Sequence, residues 1–377
     1  MVGGGEGAFI GAVHRAAAAL DNEFTLVCGA FASDAARSRR TGVALDLPPD
    51  RCYADYAAMF AAEAALPADR RMEVVVIATP NHLHLPVARA ALQRGFHVLC
   101  DKPATLSLPE CFELRDAVAA SGRLYGLTHP YSAYPLVVEA AERVRADALG
   151  TIRKVVVEYT QGWLAEPIER SGHKQALWRL DPKQAGASGC MGDIGVHAFQ
   201  LAEVVSGLRV TQVCADLNRV VPGRQLDDDG TVLLRFGNGA SGVLIASQIC
   251  TGDENDLRLR VYGDAASLEW RQQEPNSLWL KPAHAPVQQL RTGGQGLGAA
   301  ARAHTRLPAG HPEGYLEAFA NLYRTFAAQV RAHPAGTSAT HTVPGIDAAL
   351  RGMAFIDTVV AASRSTQKWH KFPEVGI

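Results

Sequence analysis

Three features of this 377-residue chain predict an α/β protein built in two parts. Continuous apolar runs alternate with alanine-rich amphipathic segments in the first third. A glycine-rich turn opens the chain directly ahead of a helix. From about residue 152 onward, short half-buried strands recur between turn signals. The expected architecture is a Rossmann dinucleotide-binding domain over 1–128, followed by an α+β domain with a large, mostly antiparallel sheet over 129–377. The length exceeds what one hydrophobic core usually sustains, which fits two domains.

In the first part, Thr25–Ala30, Glu73–Ala78, His97–Cys100 and Leu124–Leu127 read as strands, with helices between them. Strands buried on both faces need unbroken apolar runs, so a parallel sheet with crossover helices is expected. The opening Met1-Val2-Gly3-Gly4-Gly5-Glu6-Gly7-Ala8-Phe9-Ile10-Gly11 precedes a helix from Ala12 to Leu20. Its glycines let backbone N–H groups approach a pyrophosphate, and the helix N-terminus adds partial positive charge. The spacing departs from G-x-G-x-x-G, and a flexible glycine-rich tail is the alternative reading. Only Met1 and Val2 precede the glycines, where a strand usually has about five residues; this predicts a native chain with further residues before Met1.

The residue that would meet the ribose lies roughly 20 residues after the turn. That place falls on Ala32, with Ser33 next and Arg37, Arg39 and Arg40 nearby. Without a carboxylate there, a 2'-phosphate is not repelled and the arginines can pair with it. A solvated basic helix face explains the arginines equally well, and Asp34 one step later keeps NAD in play. The cofactor is therefore NAD or NADP.

Gly192-Asp193-Ile194-Gly195-Val196-His197 places a carboxylate and an imidazole four residues apart at the expected start of a helix running to Val205. At that spacing both side chains lean over one patch of surface. An imidazole that trades a proton near neutral pH would sit beside an acceptor able to orient it or hold a hydroxyl. In the plainer reading, Asp193 caps the helix and His197 is packed.

With Thr79-Pro80-Asn81-His82-Leu83-His84 after one strand and Asp101-Lys102-Pro103 after the next, four motifs stand in register. Together they resemble the glucose-fructose oxidoreductase / inositol dehydrogenase (Gfo/Idh/MocA) family over most of the chain. The resemblance implies that Thr79, Pro80, Asn81 and His84 line the nicotinamide end of the cofactor site and that Lys102 lies close to the reacting carbon. Asp101 stands where the family usually has glutamate. The implied catalytic residues are His197 as proton carrier, Asp193 as hydroxyl ligand and Lys102 as helper. The cofactor-binding set is Gly3, Gly5, Phe9, Ile10, Ser33, Arg37, Thr79, Pro80, Asn81, His84, Asp101, Lys102 and Pro103. Hydride leaves a C–H carbon as the attached hydroxyl loses its proton, so a base must reach that oxygen.

The second part begins with a helix from about Tyr134 to Ala148 and the strand Ile152–Tyr159. Strands follow at Val210–Leu217, Gly230–Phe236, Ala240–Gln248, Leu257–Tyr262 and Ala266–Trp270. Between the first strand and Asp193, Lys174, Trp178 and Arg179 suit a polyol, since an aromatic face packs on C–H surfaces and a guanidinium donates to hydroxyls. An ordinary surface connection is the alternative. Tyr131, just past the last parallel strand, completes the substrate-binding set of Tyr131, Lys174, Trp178, Arg179, Asp193 and His197. Residues 291–311 show no apolar period and read as a lid or mobile loop, and the polar start of the next helix, His311 to Tyr315, could close over the site. The final helix, Gly345 to Ser363, reads as core.

A net charge of -1, from 37 basic and 38 acidic residues, gives no electrostatic reason to expect nucleic acid or a membrane as partner. Seven scattered cysteines without Cys-x-x-Cys point to reduced thiols in a cytoplasm and to no metal site, Cys190 being a buried filler. The expected function is an NAD(P)-dependent dehydrogenase of a sugar, cyclitol or polyol, forming a homodimer or homotetramer. Two other classes share the fold: an NAD-dependent glycosidase, and a non-catalytic dinucleotide-sensing regulator. The mark of the regulator would be substitution of Lys102 or His197, and both are present.

Overall fold

The computed structural model describes residues 1–337, 339 and 341–376. It divides into two compact units, Met1–Thr128 with Phe319–Leu350, and His129–Ala318 with Arg351–Val375.

The first unit holds a four-stranded parallel sheet, in the order β1 (Val2–Gly3), β2 (Val74–Ala78), β3 (His97–Asp101) and β4 (Tyr125–Thr128). Val75, Ile77, Val98, Leu99 and Cys100 have no solvent exposure, as a sheet covered on both faces requires. The opening helix spans Phe9–Leu20, three residues earlier than Ala12. Thr25–Ala30 does not form the strand expected of it. Only Gly29 and Ala30 bridge, to Cys52 and Val2, because neighbours this short end the ladder after one pair each.

The second unit carries a nine-stranded sheet. Its strands are β5 (Ile152–Thr160), β6 (Val210–Asn218), β7 (Asp229–Phe236), β8 (Ser241–Ser247), β9 (Asp256–Gly263), β10 (Ala266–Arg271), β11 (Ser277–Pro282), β12 (Gln288–Arg291) and β13 (His370–Lys371). The order is β12-β11-β10-β9-β5-β8-β7-β6-β13. Two antiparallel meanders, β6-β7-β8 and β9-β10-β11-β12, are joined through β5, which pairs parallel to β8 and antiparallel to β9. One face alternates into the core through Val155, Val157, Val232, Leu234, Leu244, Leu259 and Val261, all without exposure. Helices Pro135–Arg145 and Val196–Ser206 cover that face. The other face carries Leu233, Arg235 and Trp279 and the cross-strand ion pairs Glu158–Arg260 and Glu269–Lys281.

Two further expectations are corrected. The domain division is not a single cut at 128, since Phe319–Leu350 belongs with the first unit: Tyr323 bonds His14, and Pro344 O accepts from Leu127 N at 2.7 Å. The stretch 291–311 is not structureless. Ala299–Ala303 is a helix whose Ala300 and Ala301 are buried against Pro135–Arg145, tied by the Gly298 N–H to Glu139 at 2.7 Å. Four alanines and one arginine gave that short helix no apolar period to read. At the polar start expected of the next helix, His311 and Pro312 are exposed, but Glu313 is buried and accepts the N–H groups of Arg306 and Leu307.

Among the described residues no helix is long and apolar enough to cross a membrane, and no group of three His, Cys, Asp or Glu side chains could hold a metal ion.

Candidate functional site

In the first unit the glycine turn is shaped so that side chains cannot enter it. A Cβ on Gly11 would lie 2.1 Å from Gly4 O, one on Gly5 2.6 Å from Phe31 O, and one on Gly3 2.5 Å from Ala78 O. The start of the Phe9–Leu20 helix is thereby packed directly on Gly4 in the turn after β1, and Arg15 donates to Gly4 O at 2.6 Å to hold the turn. No side chain caps this helix and no acidic residue lies in its first turn, so the N–H groups at Phe9 and Ile10 are those an anion would meet. This cradle fits a dinucleotide pyrophosphate. Ser33 is exposed, Arg37 is half-buried, and Asp34 caps the helix Ala35–Ala44 by accepting from Arg37 N at 2.6 Å.

Thr79, Pro80 and buried Asn81 follow β2, and Asp101 ends β3 ahead of half-buried Lys102 and the cis bond to Pro103. His84 ties these two motifs together rather than facing outward. Fully buried, its ring nitrogens lie 2.7 Å from Pro103 O and 2.9 Å from Thr79 O. Burial pushes its pKa below the ordinary imidazole value, so the neutral ring donates to one carbonyl at a time. Asp101 is held by two residues that sequence reasoning missed as partners: His14 Nε2 at 3.0 Å and the Thr128 hydroxyl at 2.7 Å, with His14 Nδ1 in turn 2.7 Å from the Tyr323 phenol. Burial alone would raise the Asp101 carboxyl. The hydrogen bonds and the nearby His14 outweigh it and hold the group below the ordinary range.

In the second unit, Asp193 and His197 lie on one continuous helical segment, a π-turn over Met191–Gly195 running into the helix Val196–Ser206. Asp193 is not the cap. Its carboxylate accepts from Gln248 Nε2 at 2.9 Å and pairs with Arg179 Nε at 3.4 Å. The segment is capped instead from outside: Asp227 accepts from Gly189 N and Met191 N, both at 2.9 Å, and Ser188 Oγ accepts from Gly192 N at 3.1 Å. Burial pushes the Asp227 carboxyl up. At the far end, Glu203 joins Arg351 at 3.1 Å, and Phe199 stacks on Phe355 with ring centres 4.5 Å apart, fixing the helix against the core.

His197, 7% exposed, meets His129 Nδ1 to Nδ1 at 3.1 Å with perpendicular rings, and the Tyr131 ring lies edge-on 4.9 Å away. The Tyr131 phenol bonds the Tyr159 phenol, and Tyr159 donates to Asn255 Oδ1 at 2.7 Å. Gln161 donates to the same oxygen at 2.7 Å and lies 3.4 Å from Gln248, which reaches Asp193. One hydrogen-bonded group thus runs from Tyr131 to Asp193 and Arg179. Burial pushes both phenols above their ordinary value, so they stay neutral. Arg179 lies 4.2 Å over the Trp178 ring at the end of the helix Lys174–Arg179, where Lys174 is exposed at the first position.

The structure therefore brings Tyr131, Arg179, Asp193 and His197 together, with Trp178 beside Arg179, and leaves Lys174 at the surface. Sequence reasoning missed His129, Tyr159, Gln161, Gln248 and Asn255. The signal for His129 was its position at the end of β4, next to Tyr131.

The chain matches the model of an oxidoreductase family with an NAD-binding Rossmann fold over residues 1–129 and that of the GFO/IDH/MocA C-terminal domain over 137–269. It is 33% identical over 99% of its length, and 96% of the relative's, to the uncharacterized oxidoreductase YfiI of Bacillus subtilis (strain 168). The crystal structure of an inositol dehydrogenase homolog complexed with NAD+ from Azotobacter vinelandii is 36% identical, with a TM-score of 0.95 and coverage of 99% of this chain and 96% of that one. The same homolog complexed with NADH and myo-inositol is matched at 35% identity and a TM-score of 0.92, with the same coverage.

Proposed function

Since the chain belongs to the Gfo/Idh/MocA oxidoreductase family, we propose that this NAD(P)-dependent oxidoreductase acts on a secondary hydroxyl of a sugar, cyclitol or related polyol. The observation that carries the reading is the buried His197 imidazole set beside a row of hydroxyl-binding groups, Tyr131, Asn255, Gln161 and Asp193, on one unit. A substrate with several hydroxyls matches such a row, and the myo-inositol held by the Azotobacter homolog supports a cyclitol.

The nicotinamide, when bound, supplies the hydride acceptor. His197 removes the hydroxyl proton. Its Nδ1 is engaged by His129, which leaves Nε2 as the atom that takes up the substrate proton. Asp193, oriented by Gln248 and Arg179, accepts a hydrogen bond from a neighbouring hydroxyl and fixes which carbon presents its C–H bond. Tyr131 and the Arg179–Trp178 pair shape the wall against the ring carbons. Lys102, half-buried after β3, belongs with the nicotinamide end of the first unit. Gly3, Gly5, Phe9 and Ile10 hold the pyrophosphate, Ser33 and Arg37 face the adenosine ribose, and Thr79, Pro80, Asn81, Asp101 and Pro103 line the nicotinamide end, with His84 bracing that wall.

A cytoplasmic, homo-oligomeric enzyme completes the reading. The test is a scan of inositols, aldoses and anhydrosugars with NAD and NADP, followed at the nicotinamide absorbance band. Reduced cofactor formed with at least one polyol is the expected result; no turnover with either cofactor, or free sugar released without net reduction, overturns it.

A further inference from the structure

We propose that His129 is a positioning and relay residue for His197, the two imidazoles accepting the substrate proton as one unit. The proposal rests on His197 being the base of the reaction. His129 follows β4 directly, precedes the turn Pro130–Ala133 and is 1% exposed. Its Nδ1 lies 3.1 Å from His197 Nδ1, with ring centres 5.1 Å apart and planes at 89°.

Only one hydrogen fits between two Nδ1 atoms, and neutral imidazole carries a single N–H. For His197 to accept at Nε2, its own hydrogen must sit on Nδ1, so His129 Nδ1 is the acceptor and His129 carries its hydrogen on Nε2. In that arrangement His197 presents a free lone pair at Nε2 to the substrate hydroxyl. The contact also provides an exit for the charge.

In the oxidation, the substrate O–H bond breaks and an N–H bond forms at His197 Nε2, while hydride passes from the carbinol carbon to the oxidised nicotinamide. The His197 Nδ1–H bond then breaks and an N–H bond forms at His129 Nδ1. His197 is left neutral with its hydrogen on Nε2, and one positive charge rests on His129. The charge has moved one imidazole away from the ketone product. The titratable and charged groups facing the pair are the Tyr131 and Tyr159 phenols, Tyr315 behind Tyr131, and Asp193 with its partner Arg179. The Tyr131 and Tyr159 phenols remain neutral near pH 7, and two ionisable rings in contact are expected to titrate as a linked pair.

Two measurements on the full chain decide this. The first follows the ring nitrogens of both histidines by NMR against pH in the wild-type protein and needs neither substrate nor variant. Linked two-step titration at both rings is expected, and independent single steps at each overturn the proposal. The second compares His129→Asn and His129→Leu on whichever polyol the wild type oxidises. Asparagine keeps an acceptor near the Nδ1 position but cannot take the proton, so kcat should fall at least about tenfold with KM unchanged and the acid limb of the pH profile displaced. Wild-type kcat and pH profile in His129→Asn, with loss only in His129→Leu, would reduce His129 to a hydrogen-bond acceptor and overturn the relay. If no polyol is oxidised, the functional reading fails while the NMR titration still decides the coupling.

Discussion

Replacing Asp227 by alanine should loosen the segment that carries Asp193 and His197. The carboxylate accepts the buried N–H groups of Gly189 and Met191 at 2.9 Å each, as well as the Ser188 hydroxyl at 3.0 Å. Each buried donor left without an acceptor costs about 1–3 kcal/mol, or about 2–6 for the two amides. The wild-type carboxyl also carries a burial cost, visible as its raised pKa, and its removal recovers part of the loss. The net expectation is about 2–4 kcal/mol, with Asp227→Asn, which keeps one oxygen acceptor, losing about 1–2. All five tryptophans, Trp163, Trp178, Trp270, Trp279 and Trp369, lie in the second unit, so fluorescence during urea unfolding reports that unit selectively. Turnover should fall with it, because a shift of about 1 Å in a catalytic side chain costs on the order of a hundredfold. A stability change in Asp227→Ala below about 0.5 kcal/mol, with turnover intact, would refute the capping argument.

Gly11→Ala puts a methyl group 2.1 Å from Gly4 O, so the turn must move; cofactor affinity measured by fluorescence titration should weaken at least about tenfold, and unchanged binding would contradict the cradle. Arg179→Ala removes one partner of Asp193 and the cover of Trp178, so KM for the polyol should rise more than kcat falls in steady-state assays. His97 accepts the Leu124 N–H, and burial, with His333 and Arg123 nearby, lowers its pKa from 6.5 to about 4. The unfolded chain takes up this proton first as the pH falls, so stability is lost progressively between pH 6.5 and about 4. Thermal unfolding of His97→Gln should show a flatter pH dependence across that window.

Regular periods were legible in the sequence and single contacts across it were not. The strands 152–160 and 229–236 announce themselves by composition and alternation, and the parallel strands by unbroken apolar runs. Thr25–Ala30 has the same composition as its neighbours, but its ladder depends on partners too short to extend it. Asp193 looked like a cap because it lies near a helix start. The actual cap, Asp227, is 34 residues further on in a run of three aspartates that reads locally as a turn. His129 and His14 are lone histidines in sequence, and only folding sets them against His197 and Asp101.

His197 is tested by one comparison: the rate of nicotinamide reduction by wild type and His197→Ala with the same polyol, with cofactor affinity measured in parallel. Loss of at least about a hundredfold in kcat, with cofactor affinity nearly unchanged, is predicted for a proton acceptor. Turnover equal to the wild type would contradict it.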